Sequence, residues 1–416
     1  MRVLALLLLL AVCLVTIGCP PESTPTNRTR IVDPSQQPVH PDVLAKVDLQ
    51  YYWTLPLTLN PGERIERLYR LDENLYCITN DNYLIAIDAL RGVPKWRYQI
   101  TDPNSTIFDP VHANEMVLTD EPVGIRGVLD PASVEYVVAF DAVMINTLTH
   151  LLVFDRTTGR VVRDRYDVAF GFSANTGGAT DGESFFVGSA EGELVAVRPA
   201  EAITAWEIPT DDIITAPPQY HNNHVYAGGE DHKFYAIQLI GWQKRIWTQT
   251  VGGPITAEFY VGNRGCYVPC EDGRIYAFEP LHGRKLWEPF ITRGPCRRPI
   301  QVATDTIFQY ADEDRLYAID LMTGQKRWDM PTGRKILAVM DSKAYVLDDS
   351  QALQIVDEMS GQVAATLMMT GFELFLGNTT IPAIYAATRD GQIYCIRSLE
   401  AGHLTAEMLE ATPRPR

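Results

Sequence analysis

The sequence predicts an all-β protein, an eight-bladed β-propeller whose blades are four-stranded antiparallel sheets. The first observation is a recurring phrase: "RLYAIDLMTGQKRWDM" at residues 315–330 returns in variant form as "YLIAIDALRGVPKWRYQI" and "RIYAFEPLHGRKLWEPFI". The second is the period, because units aligned at the position of Asp320 are spaced by 67, 43, 40, 41, 41, 37 and 40 residues. Four short strands in a unit of this length are typical of a propeller blade.

The first 18 residues have the composition of a secretory signal peptide. Arg2 precedes an apolar run from Val3 to Ile17, which is shorter than the roughly 20 residues needed to span a bilayer. Gly18-Cys19 resembles the lipobox of bacterial lipoproteins, although Thr16 stands where Leu is usual. The resemblance implies cleavage before Cys19 and lipidation of that residue, which would anchor the chain to a membrane. An ordinary signal peptide cut elsewhere is the alternative.

The remaining chain divides into a tether, a propeller and a short tail. Residues 19–46 include six prolines in "PPESTPTNRTRIVDPSQQPVHPD" and few large apolar side chains, so they predict a disordered tether. The propeller is predicted over residues 47–400, with an insertion at about 101–130, and residues 401–416 form a C-terminal tail. A long loop on a rigid scaffold often carries recognition, and a surface loop without a role is the alternative.

The strands of each unit follow from its apolar runs and turns. The second and third strands are two apolar runs joined by a polar turn, as in "GCYVPCEDGRIYAFE" and "AIYAATRDGQIYCIR", which is a hairpin signal. An upstream run such as "GPITAEFYV" supplies the first strand, and the run through the Trp supplies the fourth. The last unit has no such Trp run, so we expect "LQYYWTLPLT" around Trp53 to complete the eighth blade and remove its open edge. The alternative is that "GHLTAEML" forms that strand.

Glycine and tryptophan in the repeated phrase have structural explanations. Gly324 allows the positive φ of a tight turn, and the large side chain of Trp328 is expected to wedge between neighbouring blades. The predicted blade-docking residues are Trp53, Trp96, Trp206, Trp247, Trp287, Trp328, Gly92, Gly159, Gly283, Gly324 and Gly361.

The pattern A-x-D-x-x-T-G-x-x-x-W resembles the tryptophan-docking motif of the PQQ-type propeller family. Residues 318–328 match it in full, and residues 86–96 differ only in Arg91. Residues 277–287 have Glu279 and His282 as replacements. The second and seventh units lack the Trp, and the third and fourth lack the Asp. The resemblance covers nearly the whole mature chain and implies the propeller fold.

The same resemblance leaves the function open, because a propeller fold does not set an activity. The quinoprotein dehydrogenases of this family are longer, hold PQQ and calcium, and commonly carry a vicinal Cys-Cys pair, which this sequence lacks. Together, the lipobox, tether and single propeller resemble the BamB family of outer-membrane assembly lipoproteins. That resemblance implies a non-catalytic, monomeric scaffold with a protein partner and no cofactor, located on the periplasmic side of the outer membrane or elsewhere in the cell envelope. A PQQ-dependent enzyme and a periplasmic ligand-binding or sensor propeller are the alternatives.

Candidate chemical sites are few. His221, His224 and His232 lie within 12 residues, but the strand between them makes convergence on a metal awkward, so no metal site is predicted. Cys266 and Cys270 in one extended run would have Cα atoms about 13 Å apart, too far for a disulfide. Five cysteines remain if Cys13 is removed and Cys19 acylated, and we expect mainly buried packing residues, with a cross-blade pair left open.

Two arginines and the overall charge complete the expectations. Arg297 and Arg298 in "RGPCRRPI" are predicted on the innermost strand of blade 6, facing or near the axial channel, where arginine can bind a carboxylate or phosphate. Pairing with acidic loop residues such as Glu313 is the favoured interpretation. The net charge of −16 disfavours nucleic acid, which requires basic patches.

Overall fold

The chain folds into eight four-stranded antiparallel sheets, each a simple meander, which confirms the predicted eight-bladed propeller. The computed structural model describes residues 37–119, 137–161, 167–240 and 244–405. The signal peptide, Cys19 and the first part of the tether lie outside this range, as do residues 406–416 of the tail. Within the described residues no helix has the length and apolar character needed to cross a membrane.

The chain begins with a short helix and the strand that belongs to the last blade. These are α1 (Pro41–Ala45) and β1 (Leu49–Pro56). Blades 1 and 2 contain β2 (Ile65–Leu71), β3 (Asn74–Thr79), β4 (Tyr83–Asp88), β5 (Val93–Gln99), β6 (Val111–Thr119), β7 (Val137–Asn146), β8 (His150–Asp155) and β9 (Asp167–Ala169). Blades 3 and 4 contain β10 (Ala174–Thr180), β11 (Phe185–Ser189), β12 (Glu193–Arg198), β13 (Ile203–Pro209), β14 (Ile214–His221), β15 (His224–Gly229), β16 (Lys233–Gln238) and β17 (Lys244–Thr250).

The second half of the ring has the same organisation. Blades 5 and 6 contain β18 (Tyr260–Gly262), β19 (Gly265–Cys270), β20 (Arg274–Phe278), β21 (Phe290–Ile291), β22 (Gln301–Val302), β23 (Thr306–Tyr310), β24 (Leu316–Asp320) and β25 (Lys326–Met330). Blades 7 and 8 contain β26 (Gly333–Met340), β27 (Lys343–Asp348), β28 (Ala352–Asp357), β29 (Val363–Met368), β30 (Leu374–Phe375), β31 (Ile384–Ala387) and β32 (Gln392–Ser398), followed by a 3-10 helix (Leu399–Ala401).

The second and third strands of each blade form the core. All six residues of β3 and all six of β19 are buried, because both faces of these strands pack against neighbouring blades. The apolar clusters accordingly join consecutive blades: Tyr76 and Leu84 of blade 1 share a cluster with Val143 and Phe154 of blade 2. This packing explains why these strands are apolar throughout rather than alternating.

An N-terminal strand closes the ring, as expected from the sequence. Strand β1 pairs antiparallel with β32, from Leu49 opposite Ser398 to Pro56 opposite Gln392. The alternative segment, residues 402–409, forms no strand over its described part, 402–405. Closure in this way gives β32 a partner on its outer edge and leaves no gap in blade 8.

The packed part of the chain begins earlier than Val47, the expected boundary. Residues 37–46, assigned to the tether from their proline content, include α1, and Val39 and Leu44 are buried in the apolar cluster between blades 7 and 8. The Tyr51 hydroxyl donates to the carbonyl of Val39 at 2.9 Å. Two well-placed apolar side chains are therefore enough to dock a segment whose average composition favours disorder.

Candidate docking face of the propeller

One end of the propeller carries the repeated motif. In a four-stranded meander the first and third turns lie at the same end of the sheet, so the strand 1–2 and strand 3–4 turns of all eight blades share one face. We call this the motif face, because the acidic residue of the repeat ends the third strand there. The second turn and the link to the next blade lie on the opposite face.

The acidic residue of the motif shapes the strand 3–4 turn. Asp320 Oδ1 accepts hydrogen bonds from the backbone N–H of Met322 at 3.1 Å and of Thr323 at 2.8 Å. Arg327 forms an ion pair with the other carboxylate oxygen of Asp320 at 2.7 Å. Hydrogen bonding to Arg327 is the main reason that the pKa of Asp320 falls to about 2. The turn ends at Gly324, whose φ is 68°.

The tryptophans of one blade lie on the glycines of the next. A Cβ added to Gly361 would stand 2.5 Å from Trp328 Cγ, and the Trp328 indole N–H donates to the carbonyl of Glu358 at 2.8 Å. The same contact with glycine occurs in the pairs Trp53–Gly92, Trp96–Gly159, Trp247–Gly283 and Trp287–Gly324. The four other indole N–H groups donate, in that order, to the carbonyls of Ala89, Arg156, Pro280 and Leu321. Five blade seams thus share one arrangement.

Trp206 differs from the other five predicted tryptophans. It is half-buried, and its ring packs against Phe186 of its own blade with centroids 5.8 Å apart. The strand 3–4 turn of blade 4, which would receive it, includes residues 241–243, outside the described part of the chain. The sequence carries a signal of this difference, because the unit after Trp206 has Trp242 at the motif position where the five receiving units have glycine.

The insertion between the first two units extends one hairpin beyond the motif face. In blade 2, strand β8 ends at Asp155 opposite Ala142, whereas β6 and β7 remain paired out to Thr119 opposite Val137. Residues 137–140 therefore continue past the sheet for about 13 Å at the usual strand rise. The predicted insertion at 101–130 thus includes the whole of strand β6, and residues 120–136 lie outside the described range.

A buried arginine fixes the base of this projecting hairpin. Arg156 is 8% exposed and forms ion pairs with Asp72 at 3.2 Å and Glu73 at 2.9 Å, both in the first turn of blade 1. It also pairs with Asp141 of β7 at 3.1 Å and donates to Asn114 of β6 at 2.8 Å. One guanidinium therefore links the hairpin to the adjacent blade.

The same cluster contains three side chains of metal-ligand type. Ligand atoms of Asp72, Glu73 and His112 lie within 4.8 Å of one another. Arg156 already contacts them, with Nη1 3.0 Å from His112 Nδ1. Burial lowers the pKa of His112, and the hydrogen bond to Asp72 opposes that effect. The guanidinium supplies the positive charge of this cluster, so the arrangement is explained without a metal ion.

Arg297 and Arg298 precede the innermost strand of blade 6 rather than lying on it, since β22 begins at Gln301. Arg297 forms an ion pair with Glu271 at 2.9 Å, and Arg298 Nε lies 3.8 Å from Asp312. These partners are acidic loop residues, although not the Glu313 considered from the sequence. The side chains remain 51% and 70% exposed.

Carboxyl groups from different blades meet near the propeller axis. Asp109, just before β6, accepts a hydrogen bond from Tyr69 and pairs with Arg67 at 3.2 Å, both on the innermost strand of blade 1. Glu258 of blade 5 accepts a hydrogen bond from Gln219 of blade 4 at 3.2 Å. Glu258 is exposed to water, although protein atoms around it remove part of the hydration of its carboxylate. This desolvation, with a contribution from the charge of Asp109, raises the pKa of Glu258 to about 7.

The side chains of His221, His224 and His232 do not converge on one point. His221 and His224 are opposite each other in the β14–β15 hairpin, whereas His232 lies in the turn at the other end of β15 with a φ of 59°. His221 Nε2 contacts Asn263 Oδ1 at 2.9 Å in the neighbouring blade. The run of histidines is therefore split between the two faces of the propeller.

The five cysteines in the described residues are buried and unpaired: Cys77, Cys266, Cys270, Cys296 and Cys395. Burial raises the pKa of Cys296 to about 12. The backbone N–H of Cys296 donates to the carbonyl of Cys270 at 3.2 Å, so the connection to blade 6 lies against the end of β19. In this state the thiols act as small packing groups.

Comparison with known proteins identifies the family. The family model described as outer membrane protein assembly factor BamB matches residues 149–367, more than half of the chain. The crystal structure of BamB from Moraxella catarrhalis has a TM-score of 0.61 and 17% sequence identity, and the match covers 86% of this chain and 99% of that one. The computationally designed Ika8 protein has a TM-score of 0.59 and 14% identity, covering 82% and 98% of the two chains. The search of curated proteins found no significant match. Because the family model covers more than half of its length, the chain belongs to the family of outer membrane protein assembly factor BamB.

Proposed function

We propose that this protein is a non-catalytic, lipid-anchored propeller that binds a protein partner in the cell envelope and acts in outer-membrane protein assembly. The observation that carries this proposal is the match of residues 149–367 to the family model of outer membrane protein assembly factor BamB. The Gly18-Cys19 lipobox supports export and lipid anchoring. We further propose that the chain acts as a single propeller, since its eight blades close on themselves.

The geometry supports binding through surface features of a rigid ring. The base of the projecting hairpin of blade 2 is braced by Arg156 against blade 1, so this base has a fixed position on the motif face. Rigid presentation lowers the entropy cost of association. The Trp–Gly seams are proposed to supply this rigidity, because they lock neighbouring blades together at five places.

Affinity purification from detergent-solubilised envelopes tests the proposal. The tagged wild-type protein is expected to co-purify with the membrane-embedded component of the outer-membrane assembly machinery. The Cys19→Ser variant should appear in the soluble fraction of the exported protein, whereas wild type stays with the membrane. Depletion of the protein is expected to lower the amounts of outer-membrane β-barrel proteins.

Two outcomes would contradict the proposal. Unchanged β-barrel levels after depletion, together with co-purification of partners unrelated to assembly, would remove the assembly role. Dye-linked oxidation of alcohols or sugars by the protein after addition of PQQ and calcium would show that the propeller is catalytic.

A further inference from the structure

A pocket of about 380 Å³ opens on the motif face where blade 8 meets blade 1. We call it the seam pocket. One side is formed by β1, β31 and β32 of blade 8, and the other by the first and third turns of blade 1. Its volume is within the range of small-ligand sites in proteins, and neither the proposed partner binding nor the Trp–Gly contacts account for it.

The inner lining of the seam pocket is apolar. Ala89, Ala383, Tyr385 and Cys395 line it and are each 2% exposed or less. The Tyr385 hydroxyl donates to the carbonyl of Ala89 at 3.2 Å, so its polar atom is satisfied within the seam. A molecule that enters the pocket would therefore meet mainly apolar surface at its inner end.

Two guanidinium groups line the same pocket, one from each blade. Arg397 of β32 stands over the ring of Tyr52, with Cζ 4.7 Å from the ring centroid, and its Nε donates to the Pro382 carbonyl at 3.1 Å. Nε of Arg70, on β2, is buried and has no hydrogen-bond partner among the described residues. Burial raises the pKa of Tyr385, and the charges of Arg70 and Arg397 both oppose that rise. Both arginines therefore act on one buried hydroxyl.

The acidic residues at the edge of the pocket already have a partner. Asp72 pairs with Arg156 at 3.2 Å, and Glu73 pairs with the same guanidinium at 2.9 Å. Over the described ranges of the chain, no carboxylate oxygen lies within 4.0 Å of a guanidinium nitrogen of Arg70 or Arg397. The seam pocket thus contains two arginines that no carboxylate of the described chain pairs with.

A ligand that satisfies both parts of the pocket must itself have two parts. A guanidinium binds a carboxylate or phosphate through paired N–H groups, and this attraction is stronger beside a low-dielectric lining than in open water. An inorganic anion would leave the apolar lining uncovered. A neutral apolar molecule would cover the lining and leave the arginines unpaired, so neither part alone matches the site.

We propose that the seam pocket binds a small apolar anion, a molecule that carries a carboxylate or phosphate group on an apolar body. The anionic group would pair with Arg70 and Arg397, and the apolar body would lie on Ala383 and Tyr385. This site goes beyond the proposed function, because it assigns a ligand to the propeller itself, whichever protein the propeller binds. Since the pocket is formed by the two blades that close the ring, a bound ligand should raise the melting temperature.

Photolabelling with 4-benzoylbenzoate tests the site, because this probe joins a carboxylate to an apolar, photoreactive body. The purified full-length protein is illuminated with the probe in a neutral detergent, and labelled peptides are identified by mass spectrometry. We expect labelling of lining residues such as Leu90 and Ile381. N-acetylphenylalanine and phenyl phosphate are the competitors that distinguish a carboxylate from a phosphate ligand, and at least one should protect. N-acetylphenylalaninamide and inorganic phosphate should each protect about tenfold less well.

A charge placed at the mouth of the pocket gives a variant that is expected to fold. Leu90 lines the pocket and is 54% exposed, so Leu90→Glu should keep the wild-type melting temperature and weaken probe binding about tenfold in isothermal titration. Leu281→Glu is the matched control. Leu281 holds the same motif position in blade 5 and is 49% exposed. Glu279 accepts its backbone N–H at 3.1 Å, as Asp88 accepts that of Leu90.

The arginines are tested in the same titration. Arg397→Gln removes one guanidinium and should also weaken binding about tenfold. Arg264→Gln on the same face, where Arg264 is paired with Asp305 at 2.5 Å, should bind the probe as wild type does. Melting temperatures show that each variant is folded before its affinity is compared.

Three results would overturn the proposal. They are labelling spread over the whole propeller surface, equal protection by N-acetylphenylalanine, phenyl phosphate and the neutral amide, and equal affinities of Leu90→Glu and Leu281→Glu for the probe. Unchanged β-barrel levels after depletion would contradict the assembly role and leave the seam pocket intact, because the titration measures the ligand directly.

Discussion

The indole of Trp328 lies on Gly361 of the following blade, so close that a Cβ on this glycine would stand 2.5 Å from Trp328 Cγ. Gly361 also has a φ of 70°, a backbone conformation that residues with a Cβ rarely adopt. Glycine at this position is therefore required twice, for its backbone angle and for the space that the indole occupies.

Substitution Gly361→Ala is expected to lower the free energy of unfolding by about 2–4 kcal/mol, combining the left-handed backbone cost with overpacking against Trp328. Urea denaturation measures the loss. Gly62→Ala is the matched control, because Gly62 has a φ of 86° and nothing within 4 Å of an added Cβ. Its loss should be about 1–2 kcal/mol. Equal losses in the two variants would show that the indole contact has no energetic role.

Truncation of Trp328 should cost more than truncation of Trp206. Trp328 is 7% exposed and donates a hydrogen bond across the seam, so Trp328→Ala is expected to cost about 3–5 kcal/mol. Trp206 is half-buried, and Trp206→Ala should cost less. Urea unfolding followed by circular dichroism compares the two variants. A larger loss for Trp206 would contradict the proposed docking role of the cross-blade indoles.

Glu258 should make stability fall as pH rises. Its pKa is about 7 in the folded protein against 4.5 for an ordinary Glu, so between these values the folded state holds a proton that the unfolded state has released. The stabilisation is thus present below pH 4.5 and is lost as pH rises through 7. Glu258→Gln should melt higher than wild type at pH 8, and the gap should vanish near pH 4.

Asp109→Asn provides the control for this titration. Removal of the Asp109 charge, which contributes to the raised pKa of Glu258, should move the pH-dependent loss to lower pH. Melting temperatures measured across this range test both variants. If Glu258→Gln and wild type differ by the same amount at every pH, protonation of Glu258 does not contribute to stability.

Arg156→Gln should loosen the hairpin base. The change removes charge-assisted hydrogen bonds that each contribute about 1.5–3 kcal/mol, and hydrogen exchange should become faster over residues 111–116 and 140–146 than in β19. Arg264→Gln on the same face is the control. Its pair with Asp305 is half-exposed and should contribute less than about 1 kcal/mol. Uniformly faster exchange throughout the ring would argue against a local bracing role.

Most of the architecture could be predicted because each blade repeats a local pattern. The period and the hairpin turns indicated eight sheets, and the missing final Trp run indicated that the segment around Trp53 closes the ring. Docking of Val39 and Leu44 could not be predicted, because it depends on a cleft between blades 7 and 8 that exists only in the folded ring. The composition of residues 37–46 alone cannot predict such a cleft.

The site was less accessible to sequence reasoning. Each indole packs on a glycine of the next blade that is 33–63 positions away in the sequence. A pattern within one unit cannot predict a contact over this distance. Arg297 and Arg298 were assigned to a strand that begins three residues later.

Closure of blade 8 by β1 has a consequence for the order of folding. A ribosome completes β1 long before it completes β32, the strand with which β1 pairs. Until β32 has been synthesised, β1 has no partner strand and the ring stays open. A chain that terminates before β32 therefore exposes the unpaired backbone N–H and C=O groups of β1. Only a chain that includes both β1 and β32 can therefore close the propeller.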